Sequence, residues 1–394
     1  MIKTTKKMIL TFLLILFKIH LKIIYFFIKI FSRRKNDIFF LSRQFNCLPL
    51  NYELIIKKIK KENISYKYIC KKVPSSINTI IRNEKKNVNI FKQLLNIIKY
   101  YFNLYKQMYY IAISKVIIVD GYNITVSLLK HKKGTKVIQL WHALAAIKKF
   151  GYQTIGYKDG LNPTVAKILC MHKNYDYIIS GSEEMNKYFA EAFNTDINKM
   201  ISCGTPTIDY LLKNDDKVME KIYNCYPELK NKINVLYSPT FRSDGRNNDE
   251  EFIKKFDTKK YNLIMTFHPK NKVISNNKDV IIVNRNQFST FDILRVVDYV
   301  ITDYSALSID ACVLNKRVIL YLYDYEKYKE ENGLNIDLFK ELEGNTFKNV
   351  EDIVKLLDND NYNMRSYRRF KKKYLSNSKG DSTLQIVKLI KRLL

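Results

Sequence analysis

The sequence predicts an α/β protein of two successive doubly wound domains, entered through an amphipathic helix. Three observations carry that expectation. From residue 35 onward, short β-branched and aromatic runs alternate with longer amphipathic stretches, the pattern of parallel strands joined by crossover helices. The alternation breaks once, across the charged stretch from Asn214 to Lys232, and then starts again; 394 residues suffice for two cores of ordinary size. Finally, the predicted strands of the first domain end in polar or glycine residues, at the edge where such sheets hold ligands. The expected divisions are a terminal helix over 1–34, a first domain over 35–215, a second over 228–378 and a closing helix over 379–394, basic and amphipathic, that could pack back on the first domain.

The terminal segment is the least globular part of the chain. Met8 to Phe17 is apolar but too short to span a bilayer, and the apolar pattern then continues with single lysines inserted. At about 100° per residue, Thr4, Lys7, Thr11, Lys18, Lys22, Tyr25, Lys29 and Ser32 share one narrow face, and Leu, Ile and Phe fill the rest. This is the expected form of a helix lying in a membrane interface, with Lys18, Lys22 and Lys29 toward anionic headgroups; a tilted spanning helix is the alternative. No small-residue cleavage site follows the apolar run, which argues against a cleaved signal peptide.

In the first domain, strands are expected at Asp37 to Leu41, Tyr66 to Cys70, Lys115 to Val119, Thr135 to Leu140, Tyr177 to Ile179 and Lys199 to Ser202. Helices are expected at Tyr52 to Lys61 and Val88 to Tyr110. The strand ends read Asp120-Gly121, Trp141-His142, Ser180-Gly181-Ser182 and Cys203-Gly204. The second domain repeats the scheme with strands at Ile233 to Tyr237, Leu263 to Phe267, Val280 to Val283, Tyr299 to Thr302 and Arg317 to Tyr321. Tyr299 to Asp310 is the most suggestive stretch: a buried strand turns at polar residues into a helix with Ser305 near its cap, which aims backbone N–H groups at an anion.

The formal charge of +30 implies an anionic partner, although Lys, Ile and Asn dominate throughout and part of the charge is solvated surface. No aromatic-glycine RNA motif or recognition helix stands out, so specific nucleic-acid binding is not expected. The six cysteines are scattered without a C-x-x-C pair and read as reduced, mostly buried residues. No metal-binding spacing is present, and the D-x-D at Asp358 and Asp360 reads as a helix-ending turn, so no metal and no cofactor are expected.

Five histidines exist, and two of them follow predicted strands at the ligand edge, His142 in Q-L-W-H-A-L and His268 in M-T-F-H-P-K. An imidazole there can take a proton from an attacking hydroxyl or, when charged, hold a phosphate. His20 and His131 lie in the terminal helix and a basic loop, and His172 lacks comparable punctuation. Arg242, in Y-S-P-T-F-R after the first strand of the second domain, offers phosphate oxygens a planar pair of donors that lysine cannot match.

Taken in order, W-H-A-(x)4-K-K-F-G, S-G-S-E, C-G-T-P-T-I-D-Y-L-L, Y-S-P-T-F-R, F-H-P and I-T-D-Y-S-A-L-S-I-D resemble the CDP-glycerol glycerophosphotransferase family of teichoic acid synthesis over roughly residues 115 to 325. The resemblance implies a GT-B fold of two Rossmann-like domains facing a cleft. It also implies peripheral attachment to the cytoplasmic face of the cell membrane, a CDP-alditol donor, a lipid-linked polyprenyl-diphosphate acceptor and release of CMP, in making wall polymer or capsule. By position, His142 would be the general base and Arg242 and His268 would neutralise the donor pyrophosphate. Asp303, Ser305 and the Ala306 amide would sit on the same phosphates, and Asp310 would accept from the ribose hydroxyls. Phosphoryl transfer needs such charge neutralisation and in-line positioning more than covalent help.

Three departures from the family pattern stand out. W-H-A-L replaces the common W-H-G-T, W-H-A with K-K-F-G is more like the ribitol-phosphate branch, and Ala306 replaces the second serine of D-Y-S-S. Glycerol and ribitol both stay open. The alternatives are a GT-B glycosyltransferase using a nucleotide sugar, and a non-enzymatic basic membrane-surface or nucleic-acid-binding protein.

Overall fold

Strand-forming runs assemble into two parallel sheets of six strands each in a computed structural model describing residues 2–74, 90–157, 160–240, 242, 248–266, 279–376 and 379–394. The chain divides into two compact units. One comprises Met1–Ala143, Lys149–Thr207 and Asp381–Leu394, and the other Leu144–Lys148 and Ile208–Gly380.

The first unit begins with α1 (Ile2–Phe31), followed by β1 (Ile38–Ser42), α2 (Leu50–Lys60), β2 (Tyr66–Cys70) and the long α3 (Ile90–Ile113). Then come β3 (Val116–Val119), α4 (Ile124–Leu128), β4 (Lys136–Gln139), α5 (Pro163–Ile168), β5 (Tyr177–Ile179), α6 (Glu183–Phe193) and β6 (Met200–Ile201). The sheet order is β2-β1-β3-β4-β5-β6. β1 and β3 are buried at every position, as expected of central parallel strands covered on both faces, whereas β2 at the edge exposes Lys67 and Tyr68. Local signals set the helix ends: Asn162 caps α5 with Pro163 at its first position, and α6 stops at left-handed Asn194.

α1 packs one side on the domain and leaves the other bare. Leu21 and Tyr25 are buried, His20 Nε2 pairs with Tyr105 of α3, and the Lys29 ammonium donates to the Lys130 carbonyl at 3.0 Å. Phe12, Leu16, Ile23, Phe27 and Ile30 are exposed. This corrects part of the sequence reading: Tyr25 and Lys29 lie on the side that meets protein, because a helical wheel identifies the polar face without showing what it touches. Lys22 is exposed and Lys18 half-buried.

The second unit takes over within α7 (Pro206–Leu212). It runs through α8 (Asp216–Cys225), β7 (Ile233–Tyr237), α9 (Asp249–Lys255), β8 (Tyr261–Met265), β9 (Val280–Ile282), α10 (Thr290–Ile293), β10 (Tyr299–Thr302), α11 (Leu307–Val313) and β11 (Arg317–Tyr321). α12 (Tyr325–Asn332), α13 (Leu338–Glu341), β12 (Thr346–Phe347), α14 (Val350–Asp358) and α15 (Met364–Tyr374) complete it. Its sheet order is β12-β11-β10-β7-β8-β9. The short segment Leu144–Lys148 also belongs here, held by the Asn335 amide on the Ile147 carbonyl at 2.9 Å. The last helix, α16 (Ser382–Leu393), returns to the first unit, where Ile386, Val387, Leu389 and Ile390 join Tyr52, Ile55 and Ile59 of α2 over one face of the sheet.

β8 starts two residues before its expected position, because Tyr261 and Asn262 pair with Ile233 and Asn234, and the Asn262 side chain bonds Asn234 Oδ1 at 2.9 Å. Phe267, the end expected from sequence, lies outside the described residues, as do Val88 and Asn89 at the start of the long helix. In each sheet the order reverses once, between β1 and β3 and between β7 and β10, and these switch points are where an open α/β sheet parts its crossovers to admit a ligand.

Candidate functional site

In the first unit, the switch point brings Ser42, Asp120 and His142 together. The Asp120 carboxylate is buried at the end of β3 and accepts the Ser42 hydroxyl at 2.6 Å. Burial pushes its carboxyl up to about 6, against the opposing pull of the Ser42 hydrogen bond and the Arg43 charge. After β4, Trp141 takes a left-handed backbone, φ 57°, unusual for a bulky residue. The turn is held from both sides: the Trp141 amide donates to Gln139 Oε1 at 3.0 Å, and the indole stacks on Phe150 at 4.6 Å and meets Phe193 edge-on at 5.3 Å.

That turn delivers His142 to the Asp120 main chain, with Nδ1 3.0 Å from the carbonyl oxygen. A carbonyl only accepts, so Nδ1 carries a proton, and in the neutral ring the lone pair is then on Nε2. This is the tautomer a general base needs. His172 is different in kind: buried, bonded to the Tyr175 hydroxyl at 3.0 Å, and pushed down to about 3 by burial, it is a neutral core residue.

In the second unit, the switch point between β7 and β10 gathers Arg242, Asp303 and Thr240. Asp303 Oδ1 accepts the Thr240 amide at 2.9 Å and the Thr240 hydroxyl at 2.6 Å, and Oδ2 lies 3.0 Å from Arg242 Nη2. Arg242 also donates from Nε and Nη2 to Asp324 at 3.1 and 3.2 Å and from Nη1 to the Thr240 carbonyl at 3.0 Å. Tyr304 and Tyr328 stack at 3.7 Å beside it, with the guanidinium 4.7 Å from the Tyr328 ring, and Tyr304 donates to Asp324 at 2.9 Å. Burial alone would lower the Arg242 pKa, but Asp303 and Asp324 outweigh it and hold it above its ordinary value. Most of the guanidinium is therefore occupied by protein.

The helix expected to have Ser305 near its cap has Ala306 at the cap position and Leu307 as its first helical residue. The Ser305 hydroxyl accepts the Leu307 amide at 3.2 Å. The amides of half-buried Ser305 and Ala306 donate to no group among the described residues. Asp310 sits further along α11, buried, its carboxyl pushed up to about 7 by burial. His268 lies outside the described residues. Thr266, two positions before it, is 3.3 Å from Ser238 Oγ at the end of β7, so β8 ends at this same edge.

Sequence reasoning missed Asp120 as a site residue, along with Thr240, Tyr304, Asp324 and Tyr328. Asp120 directly follows β3 and Asp324 lies three residues past β11, at the edge that the sequence marks for ligands.

With this geometry in view, the comparisons decide the family. The family profile described as CDP-Glycerol:Poly(glycerophosphate) glycerophosphotransferase matches residues 23–392. The chain belongs to this family. It is 27% identical over 373 residues to the teichoic acid poly(ribitol-phosphate) polymerase of Bacillus spizizenii, covering 90% of this chain but only 56% of that protein. It is 29% identical to the teichoic acid glycerol-phosphate primase of Bacillus subtilis, covering 74% of this chain and 77% of that one. Among solved structures, a variant of the wall teichoic acid polymerase TagF soaked with CDPG superposes with a TM-score of 0.71 at 18% identity, over 98% of this chain and 97% of that one. The two doubly wound sheets are thus the GT-B-type α/β fold of this glycerophosphotransferase family.

Proposed function

We propose that the protein transfers glycerol phosphate or ribitol phosphate from the corresponding CDP-alditol to a hydroxyl of a lipid-linked acceptor, releasing CMP. The acceptor oxygen attacks the phosphorus that bears the alditol. The bond from that phosphorus to the bridging oxygen breaks, and CMP leaves with the electron pair. His142 Nε2 takes the proton of the attacking hydroxyl while its Nδ1–H stays on the Asp120 carbonyl. The observation that carries this reading is that one hydrogen bond, which fixes the tautomer of the W-H histidine in a member of this family.

On the donor side, the Ser305 and Ala306 amides and the His268 imidazole hold the phosphates, and Asp310 takes the ribose hydroxyls. Arg242 supplies its one remaining Nη1–H and, through Asp303 and Asp324, fixes the Thr240 turn beside them. Asp303 acts by positioning, since a bare carboxylate would repel a phosphate.

The exposed apolar side of α1, continued by Leu95, Ile98 and Phe102 of α3, supports residence on a membrane surface, which we assign to the cytoplasmic face. The deciding experiment incubates the full chain with CDP-glycerol or CDP-ribitol and a lipid-linked acceptor. CMP release with growth of the acceptor is expected. Release of CDP from a nucleotide sugar instead would replace this reading with glycosyl transfer.

A further inference from the structure

Arg242 keeps one N–H for a ligand, because Asp303, Asp324 and the Thr240 carbonyl take the others. Arg43, the first residue after β1 in the other unit, is built the opposite way. Its Nη1 donates to the Tyr122 carbonyl at 2.7 Å, and among the described residues no carboxylate pairs with it and no further group accepts from its guanidinium. The whole Nε and Nη2 edge, the pair of donors that fits two phosphate oxygens, is left open.

Tyr122 holds this side chain in place. The guanidinium carbon lies 5.3 Å over its ring, its hydroxyl donates to the Leu169 carbonyl at 3.1 Å, and the ring packs on His172 with 5.4 Å between centroids. The half-buried guanidinium is thus ordered before a ligand arrives, which lowers the entropic cost of binding one. A counter-charge for Asp120 would bond its carboxylate; Arg43 bonds a carbonyl instead, and Asp120 Oδ1 is buried without a hydrogen-bond partner. The same turn carries the base. Nδ1 of the exposed His142 lies on the Asp120 carbonyl and Arg43 on the Tyr122 carbonyl, so the two side chains are anchored two residues apart between β3 and α4. Such anchors are separated by at most about 7 Å, so a hydroxyl at His142 Nε2 and an anion at Arg43 belong to one chain end.

We infer that Arg43 is a specificity-determining residue that grips the phosphate nearest the attacking hydroxyl, and so selects an acceptor ending in an alditol phosphate over one ending in a neutral sugar. The inference rests on the proposed transfer reaction and assigns the side chain that recognises its acceptor. Lysine at this position would supply the charge without the planar pair of donors.

The test uses the full chain with excess CDP to occupy the donor groups, and with sn-glycerol 3-phosphate, ribitol 5-phosphate, glycerol and inorganic phosphate as separate probes. Peptide mass spectrometry after phenylglyoxal treatment reads the arginines without any mutation. At least one alditol phosphate is expected to shield Arg43 at about tenfold lower concentration than inorganic phosphate, glycerol to give no shielding, and exposed Arg368 to react throughout. In steady-state assays with the lipid-linked acceptor, Arg43→Gln should raise the acceptor KM by at least about tenfold with a smaller change in kcat, and Arg43→Lys should recover part of the loss. Mere collapse of the turn would release His142 and lower kcat instead. Reactive Arg43 at saturating alditol phosphate, equal shielding by inorganic phosphate, or a kcat loss at unchanged acceptor KM would each overturn the inference. Shielding is read without turnover, so it judges Arg43 separately from the transfer reaction, which the CMP assay judges alone.

Discussion

Arg242 and Asp303 meet at 3.0 Å with 8% and 2% of their side chains exposed, and Asp324 closes the opposite edge of the same guanidinium. A pair this deep is held by geometry: removing one partner strands a buried charge, typically at about 3–5 kcal/mol. Asp303→Asn should therefore lower the urea stability of the protein by about 3 kcal/mol, whereas Glu251→Gln, which breaks the solvent-exposed pair with Lys255, should leave it nearly unchanged. Equal effects of the two substitutions would show that the buried network is not fixing the β7 and β10 ends. Arg242→Ala should also weaken CDP-alditol binding, and calorimetry showing unchanged donor affinity would remove Arg242 from the phosphate site.

His142→Ala should reduce turnover by about 10²–10⁴-fold, the usual contribution of a positioned general base, while CDP-alditol binding measured by calorimetry survives. The split matters because His142 belongs to the first unit and the donor groups to the second. Turnover close to that of the unmodified protein would exclude it as the base. A parallel loss of donor affinity would make it a donor ligand instead.

Asp310 predicts a pH dependence. Its carboxyl ionises near 3.8 when exposed and is pushed up to about 7 by burial in α11. Between those values the unfolded chain releases the proton and the folded chain keeps it, so stability falls as pH rises from about 4 to about 7 and then levels, with a total penalty on the order of 4 kcal/mol. Asp310→Asn removes the ionisation. The variant should unfold at a higher temperature than the unmodified protein at pH 8, and the gap should shrink toward pH 4. A gap independent of pH would mean that Asp310 is not held protonated by the fold.

The parts of the fold legible in the sequence were those written in apolar runs. β5, β7, β10 and β11 occupy the expected residues because their Val, Ile, Leu and Tyr side chains form short, well-bounded runs. β12 left no such run, being two residues long. The site was legible as strand ends, which is why His142, Arg242 and Ser305 could be named, whereas Asp303 was named only through the family resemblance. Their partners were less so. Asp324 is 82 residues from Arg242, and Asp120 holds His142 through a carbonyl that every residue possesses. The left-handed turn at Trp141 was equally silent, because no glycine marks it and aromatic packing against Phe150 and Phe193 sustains it.

Membrane residence gives the last prediction. Met8 to Phe31 is apolar enough to cross a bilayer, yet one side of it is fastened to the first unit through His20, Tyr25 and Lys29. A helix so fastened presents its bare side to lipid from the interface, and each exposed Phe contributes apolar area to the membrane. Deletion of residues 1–33 should release the protein from anionic vesicles in a sedimentation assay, although Leu21 and Tyr25 also pack on the domain and the truncated protein will lose some stability. Phe12→Glu with Phe27→Glu separates the two effects, because both side chains are exposed and their replacement leaves that packing untouched. This double variant should fold with an unchanged melting temperature and shift into the supernatant. If it sediments with vesicles as the unmodified protein does, the bare side of α1 is not the membrane contact.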